Sequence, residues 1–202
     1  MTAKGAKVVL LGEMGVGKSS IAGRTQSDTF LDSYQATIGA TFTTKHIVDG
    51  DRQYKFYIWD TAGKEKFRTL APLYYRDAAA ALLIYDISAK ASFDCIPYWI
   101  SELRKHGPPN IIIVLAGNKC DCGDELREIP FRFLTSYATE KGIPYFECSA
   151  KTGENVREIL VEIGRHLPSD LVTTNKETTR LLNPTDPTTL CWPFGQRNCS
   201  II

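Results

Sequence analysis

The feature that most constrains the fold is a glycine-rich segment at residues 12–19, with the sequence Gly-Glu-Met-Gly-Val-Gly-Lys-Ser. It matches the pattern G-x-x-x-x-G-K-[ST] and lies between an apolar run at 7–11 and a predicted helix that begins near Lys18. In this pattern backbone N–H groups surround phosphate oxygens, the lysine reaches the outer phosphates and the serine hydroxyl ligates Mg²⁺. The start of the helix adds partial positive charge toward the same anion. A chance glycine turn is the alternative, and the strand–loop–helix context disfavours it. The predicted phosphate contacts are Gly15, Val16, Gly17, Lys18, Ser19 and Ser20.

The composition excludes several other classes of protein. The 202 residues are 43% hydrophobic and have a net charge of +1, so we expect one well-packed domain and no nucleic-acid partner. No apolar run has the length of a membrane-spanning helix, and the N-terminus has no signal-peptide pattern. The six cysteines form no C-x-x-C pair and have no histidine at a zinc-binding spacing. Reduced thiols are therefore predicted for Cys95, Cys120, Cys122 and Cys148.

Short apolar runs alternate with helix-length segments, which predicts a three-layer α/β fold of the phosphate-loop NTPase type. The turn signal Asp49-Gly50-Asp51 predicts a hairpin, so the sheet should have six mostly parallel strands with one antiparallel edge strand and helices on both faces. The predicted strands are 7–11, 41–48, 53–59, 79–86, 111–117 and 144–148, and the predicted helices are 18–27, 67–76, 92–106, 131–141 and 154–166. After Leu167, Thr and Pro become frequent, so we expect a domain at 1–167 and a disordered tail at 168–202.

Two motifs that follow predicted strands identify further parts of a nucleotide site, because ligands bind at the carboxyl ends of strands in such sheets. The segment 60–63 is a D-x-x-G, in which the Asp60 carboxylate would lie behind the groups that ligate Mg²⁺ directly and the Gly63 amide would sense a γ-phosphate. The segment 118–121 is an N-K-x-D. Each motif is weak alone, but their order after the phosphate loop strengthens both.

The N-K-x-D motif also predicts which base is bound. A buried Asp121 carboxylate would accept hydrogen bonds from N1–H and the 2-amino group of guanine, whereas adenine has no matching pair of donors. Asn118 would bind the loop and the base edge, the Lys119 stem would pack on the ring, and the Ala150 amide would face the guanine oxygen. An Asn-Lys turn at a strand end is the alternative. The predicted base contacts are Asn118, Lys119, Asp121, Ser149, Ala150 and Lys151.

Together these motifs resemble the Ras superfamily of small GTPases over residues 5–167. The runs 38–42, 58–63, 73–76 and 83–87 resemble the Rab branch, and 37–42 with 103–111 resemble the early-endosomal Rabs most. The resemblance implies GTP/GDP and Mg²⁺ as ligands, hydrolysis of GTP, and a switch that recruits effectors in vesicular transport. It also implies an exchange factor, a GTPase-activating protein, and a GDP-dissociation inhibitor or prenyl-binding chaperone as partners. The expected location is the cytoplasmic face of intracellular membranes, endosomal by the subgroup, with a soluble cytosolic pool.

The resemblance assigns several further roles. Thr37 would ligate Mg²⁺ through its hydroxyl and sense the γ-phosphate through its amide, which completes the metal set Ser19, Thr37 and Asp60. Phe30 would stack on the guanine, with a loop aromatic tucked into the core as the alternative. Phe42, Trp59 and Tyr74 match the aromatic triad that Rab effectors read, although their pattern alone would place Phe42 and Trp59 in the core.

Lys64 is the main departure from the family, which has Gln after D-x-x-G to orient the attacking water. Lysine has donors but no acceptor, so Lys64 could not accept a hydrogen bond from the attacking water. The predicted catalytic residues are Lys64, Thr37 and Lys18, and we expect their intrinsic hydrolysis of GTP to be slow. Met14 stands where the family has a smaller residue and would crowd an arginine finger, although activating proteins that supply Arg and Gln in trans would preserve assisted hydrolysis.

The alternative function is a GTP-bound recruitment scaffold with little turnover. A phosphate-loop ATPase or small-molecule kinase is disfavoured by residues 118–121. Asp77 replaces a usual Gly without a functional explanation.

The C-terminal sequence Cys199-Ser200-Ile201-Ile202 has a cysteine at the prenylation position. One lipid gives marginal, reversible membrane binding, and a second signal is usually needed. The tail has no polybasic patch, so the candidate second signal is Cys191, by palmitoylation or by insertion of the neighbouring Trp192 and Phe194 at the membrane interface. An unmodified cysteine at position 191 is the alternative.

Overall fold

A seven-stranded sheet forms the centre of the protein, in a computed structural model that describes residues 4–31, 36–63 and 69–174. The strands are β1 (Ala6–Leu11), β2 (Ala40–Asp49), β3 (Arg52–Thr61), β4 (Ala80–Asp86), β5 (Ile112–Asn118), β6 (Tyr145–Glu147) and β7 (Val172–Thr174). Their order is β2-β3-β1-β4-β5-β6, and β7 pairs with β3. Strands β2 and β7 are antiparallel to β3, and the other paired strands are parallel. The predicted α/β class is confirmed, with one strand more than predicted.

The described helices lie on both faces of the sheet. They are α1 (Lys18–Ser27), α2 (Ala71–Tyr75), α3 (Lys90–Phe93), α4 (Ile96–His106), α5 (Phe131–Lys141) and α6 (Val156–Arg165). The single helix predicted at 92–106 is two helices, because a proline lies in the first turn of α4 and a proline ring favours a helix start but cannot continue a helix that precedes it. No helix in the described ranges has the length and apolarity to cross a membrane.

Strands β4 and β3 show why some of the sheet is buried on both faces and some on one. All seven residues of β4 are buried, and alternate side chains such as Leu82 and Leu83 belong to two different core clusters. This is the pattern of a parallel strand with helices on both sides. In β3, by contrast, the buried Phe56 and Ile58 alternate with the half-exposed Tyr57 and Trp59. One face of the sheet near β2 and β3 is therefore accessible.

The chain continues as ordered structure beyond Leu167, where the sequence analysis placed the start of the tail. A 3₁₀ turn at Ser169–Leu171 leads into β7, in which Thr174 pairs with Arg52 and Val172 with Tyr54. Leu171 and Val172 pack against the core cluster beneath α1 and α6. This strand could not be predicted from the residue pattern, because three residues are too few to show a period of two.

Candidate nucleotide-binding site

The glycine-rich segment forms a loop between β1 and α1 whose backbone only glycine adopts readily. Gly15 has a φ of +84° and Gly17 a φ of +99°, which are left-handed values that favour glycine. A Cβ at Gly17 would overlap the Asn118 amide nitrogen. Helix α1 begins at Lys18 directly after this turn. The loop therefore presents backbone N–H groups and a helix start to one space, which is the arrangement that binds phosphate.

Lys18 lies under this loop with 5% of its surface exposed. Its Nζ donates hydrogen bonds to the carbonyl oxygens of Gly12 at 3.0 Å and Glu13 at 2.7 Å. Burial lowers the pKa of Lys18, and the negative charges of Asp60 and Glu13 oppose that shift. An ammonium group has three N–H donors, so one donor is left for a phosphate oxygen.

Three oxygen-bearing side chains meet beside Lys18. Ser19 Oγ donates to Asp60 Oδ2 at 2.6 Å, and Thr37 Oγ1 lies 2.9 Å from Ser19 Oγ and 3.2 Å from Asp60 Oδ2. Among the described residues, the buried Asp60 Oδ1 has no hydrogen-bond partner. Burial raises the pKa of Asp60, while the hydrogen bonds from Ser19 and Thr37 and the charge of Lys18 lower it.

This donor set fits the magnesium ion that the sequence predicts. Mg²⁺ prefers oxygen ligands and binds through few protein groups plus phosphates, and a buried carboxylate with an unpaired oxygen favours a nearby cation. Ser19 and Thr37 would hold the ion, with Asp60 behind them. Bound there, Mg²⁺ would neutralise charge on the nucleotide's outer phosphates.

Asn118 joins the phosphate loop to the predicted base loop. Its Nδ2 donates to Val16 O at 2.8 Å, and its Oδ1 accepts a hydrogen bond from the Ala150 amide at 3.1 Å. Asn118 is 1% exposed, so these bonds are shielded from water. Its predicted loop-binding role thus has a structural basis. The Ala150 amide, however, has a protein partner here, and its contact with a guanine oxygen stays a prediction.

Asp121 and Lys119 each depend on a neighbouring side chain for their position. Ser149 Oγ donates to Asp121 Oδ1 at 2.5 Å. Asp121 is exposed, so its expected burial is wrong: the residue follows β5 in a short 3₁₀ turn at the mouth of the cleft. Lys119 has a φ of +69°, and its Nζ pairs with Asp86 Oδ2 at 2.5 Å.

Two residues that organise the base loop, Asp86 and Arg24, were not among the predicted contacts. Asp86 at the end of β4 anchors Lys119, and although burial opposes ionisation, the hydrogen bonds from Lys119 and Ser88 hold the pKa of Asp86 below its usual value. Arg24 on α1 donates from Nε to Ala150 O at 2.9 Å and from Nη2 to Lys151 O at 2.5 Å. Asp86 could have been predicted from the sequence, because it stands at the end of a strand as Asp60 does. Arg24 could not, because only the tertiary fold brings α1 to this loop.

The predicted residues come together around one open cleft of about 530 Å³, a size typical of small-molecule sites. Phe30 lines it and also packs against the core, so both interpretations of Phe30 describe part of its environment. Val16 and Ser149 are buried behind the lining. The other predicted contacts in the lining are Gly15, Gly17, Lys18, Ser19, Ser20, Thr37, Gly63, Asn118, Lys119, Asp121, Ala150 and Lys151.

The predicted aromatic triad lies outside this cleft on the accessible face of the sheet. The ring centres of Phe42 and Trp59 are 5.8 Å apart, and those of Trp59 and Tyr74 are 6.2 Å apart. Phe42 is 56% exposed, so the core position that its pattern alone suggested is wrong. The three rings form one continuous surface, as recognition by a partner would require. Lys64, Cys191 and Cys199 lie outside the described residues.

The fold and the cleft define a phosphate-loop nucleotide-binding protein of the α/β class. The sequence model of the Ras family matches residues 7–169, and the chain belongs to this family. It is 47% identical over 169 residues to Ras-related protein Rab-22A of Homo sapiens, an alignment that covers 84% of this chain and 87% of that protein. It is 46% identical over 168 residues to Rab-31 of Rattus norvegicus (83% and 86% covered) and 48% identical over 162 residues to Rab-5A of Dictyostelium discoideum (80% of each).

These similarities confirm the resemblance to Rabs of the early-endosomal branch. The protein is a Rab-type small GTPase of vesicular transport, which binds GTP and GDP with Mg²⁺ and hydrolyses GTP to GDP and phosphate.

Proposed function

We propose that this GTPase is a membrane switch whose GTP form is unusually long-lived and recruits effectors in endosomal transport. The observation that carries the proposal is Lys64 directly after Gly63, a residue of the nucleotide cleft. Gly63 packs so closely on the phosphate loop that an added Cβ would meet the Met14 amide nitrogen at 2.6 Å. Lys64 follows this glycine in the sequence, at the position where the family has the water-orienting Gln.

The chemistry of residue 64 supports slow intrinsic hydrolysis. A glutamine amide donates and accepts hydrogen bonds and can orient the attacking water, whereas a lysine ammonium only donates. Lys64 could attract a γ-phosphate oxygen but could not accept a hydrogen bond from water. Met14 adds a second obstacle, because its side chain is 60% exposed and lines the cleft, where it would crowd an arginine supplied by an activating protein.

The switch itself rests on Thr37 and Gly63. The Thr37 hydroxyl lies with Ser19 and Asp60 at the predicted Mg²⁺ site. Gly63 packs on the phosphate loop beside Lys18. Loss of the γ-phosphate would remove a shared partner of both segments and release them, which is the usual order–disorder device of GTPases. The triad of Phe42, Trp59 and Tyr74, in which Phe42 is exposed and the other two are half-buried, lies next to these segments, so effectors would read the nucleotide state there.

The membrane part of the proposal rests on sequence. Prenylation of Cys199 would anchor the protein to the cytoplasmic face of endosomal membranes, and palmitoylation of Cys191 or insertion of its aromatic neighbours would supply the second signal. An exchange factor, an activating protein with Arg and Gln in trans, a GDP-dissociation inhibitor or prenyl-binding chaperone, and effectors would complete the cycle. A second candidate, a recruitment scaffold with almost no turnover, is favoured by the combination of Lys64 and Met14.

Single-turnover hydrolysis of preloaded GTP by the full chain tests the proposal. The wild type would be compared with Lys64→Gln and with Met14→Ser, each preloaded to the same extent. We expect Lys64→Gln to hydrolyse GTP at least about tenfold faster, which corresponds to about 1.4 kcal/mol of transition-state stabilisation. Met14→Ser should leave the intrinsic rate unchanged and should change the rate that is measured with an activating protein. Equal rates for the wild type and Lys64→Gln would contradict the long-lived GTP state, and no detectable wild-type turnover even with an activating protein would favour the scaffold.

A further inference from the structure

A second cleft, of about 500 Å³, lies on the half-exposed face of β1 and β3 next to the aromatic triad. We call it the outer cleft. It is separate from the nucleotide cleft, with which it shares no lining residue. The residues that matter for its chemistry are Gly5, Lys7, Phe42, Tyr57, Trp59 and Leu171.

The floor of the outer cleft is aromatic. The ring centres of Phe42 and Tyr57 are 5.8 Å apart, the same separation as Phe42 and Trp59. Tyr57 lies flat beside Gly5, where any Cβ would overlap its ring. Gly5 therefore leaves space for the Tyr57 ring, which adds a fourth ring to the surface of the triad.

Two lysine ammonium groups lie over rings of this floor. Lys7 Nζ lies 4.7 Å from the centre of the Trp59 ring, and Lys55 Nζ lies 5.3 Å from the centre of the Tyr57 ring. Lys7 is in turn held by an ion pair with Asp77. This pair gives Asp77 the role that the sequence left unexplained: it fixes Lys7 over Trp59. A surface of rings and ammonium groups suits another aromatic side chain, because ring faces attract both the edges of rings and cations.

We propose that the outer cleft binds this chain's own segment 190–194, Leu-Cys-Trp-Pro-Phe. Trp192 and Phe194 are the two aromatic residues of the sequence after Thr174, and the residues between are mainly Thr, Pro, Asn and charged types. The chain already approaches the cleft before this segment, since Leu171 forms part of its wall. The chain therefore passes the surface that its aromatic segment fits before it leaves along β7.

The length of the intervening chain suits this contact. Thr174 pairs with Arg52, and Tyr57 is five residues further along β3, a distance of roughly 17 Å at about 3.4 Å per residue. Trp192 is eighteen residues after Thr174, and a flexible chain of that length has a root-mean-square span of roughly 21–25 Å. Because the two lengths are similar, the effective concentration of the segment at the cleft would be on the order of 1 mM.

Docking of the segment has two consequences. It covers Phe42 and Trp59, so partner proteins would have to displace the tail; this consequence rests on the proposed function of the triad, whereas docking itself does not. It also holds Cys199, five residues after Phe194, near the body of the protein. The tail would then be released for the membrane when a partner takes the cleft.

Photo-crosslinking in the full, unprenylated chain tests docking without any hydrolysis or partner assay. A benzophenone amino acid would replace Thr44, which is exposed and pairs across the sheet with Tyr57. The matched control would carry it at Phe133, which is 51% exposed on α5 near the β6 edge of the sheet, away from β2 and β3. We expect a crosslink from position 44, but not from 133, to the peptide that contains Trp192. Trp192→Ala/Phe194→Ala should reduce it about tenfold, and the tail control Leu181→Ala/Leu182→Ala should not.

Mixing isotope-labelled and unlabelled chains identifies the source of the crosslinked tail. Crosslinks within one chain support the proposal, whereas crosslinks only between labelled and unlabelled chains would overturn it in favour of a second copy. A yield from position 44 no higher than from position 133 would also overturn it and leave the cleft to a partner protein or a lipid surface.

Alkylation of Cys191 gives an independent second measurement, with Cys199 in the same chain as internal reference. At an effective concentration of about 1 mM, an intrinsic Kd of about 0.1 mM would leave roughly a tenth of the segment undocked, so Cys191 should react about tenfold more slowly than in Phe42→Ala. An unchanged ratio of the Cys191 and Cys199 rates between wild type and Phe42→Ala would overturn the proposal.

Discussion

The nucleotide cleft and the aromatic face are built in opposite ways. In the cleft, buried polar side chains such as Asn118 and Lys18 are fixed by hydrogen bonds to loop backbone. On the aromatic face, Phe42 and its neighbours are exposed or half-exposed and are held by ring contacts and by Lys7. A buried polar group that loses its partner costs far more than an exposed ring that loses a neighbour. The cleft should therefore tolerate few substitutions, and the face many.

The largest effect is expected for Asn118→Ala. The substitution removes two shielded hydrogen bonds and leaves Val16 O and the Ala150 amide unpaired, at about 1–3 kcal/mol each. GDP affinity should fall at least about 100-fold, and the melting temperature should fall as well. Dissociation of fluorescent GDP and thermal unfolding would measure both, with the exposed Asn110→Ala as control. An affinity close to that of the wild type would mean that the two loops are held together by something other than Asn118.

A smaller and pH-dependent effect is expected for Asp86→Asn. The pKa of Asp86 is lowered in the folded state, so its contribution to stability is present above the unfolded pKa of about 3.9 and is lost as the pH falls through the folded pKa. At pH 7, with saturating GDP, the variant should lose about 1–2 kcal/mol of unfolding free energy. The difference from wild type should shrink below about pH 4. Urea unfolding at both pH values would measure it.

The control for that experiment is Asp94→Asn, which makes the same substitution at an exposed position and should change the unfolding free energy at pH 7 by less than about 0.5 kcal/mol. A loss at pH 7 that persists undiminished in acid would show that Asp86 acts through packing rather than through its charge.

The smallest effect on the folded protein is expected for Phe42→Ala. The ring is 56% exposed, so its removal should cost less than about 1 kcal/mol of unfolding free energy and should leave GDP affinity unchanged. Calorimetry and nucleotide dissociation would test this. A loss as large as that of Asn118→Ala would break the comparison, because it would show that the aromatic face supports the cleft.

The sequence predicted those parts of the molecule that local pattern determines. The residues of the cleft were identifiable because each follows a strand or lies in the glycine loop, and the carboxyl ends of parallel strands meet at one edge. Arg24 was not identifiable, because its partners Ala150 and Lys151 are more than a hundred residues away in the chain. The exposure of Phe42 was misjudged because a strand pattern does not show which face a neighbouring helix leaves uncovered.

The central claim is that the loops at the carboxyl ends of the strands form a pocket that selects guanine. Substitution of Asp121 tests this claim most directly. Asp121 is positioned by Ser149, and its carboxylate matches the two donors of guanine; an asparagine amide would instead offer a donor to the 2-oxo group of xanthine. GDP and XDP would be competed on the full wild-type chain and on Asp121→Asn. We predict that the wild type prefers GDP by at least about 100-fold, since the 2-oxo group of xanthine faces the Asp121 carboxylate and leaves two acceptors unpaired at about 1–3 kcal/mol each, and that Asp121→Asn prefers XDP. A variant that still prefers GDP to the same extent would contradict this account of the pocket.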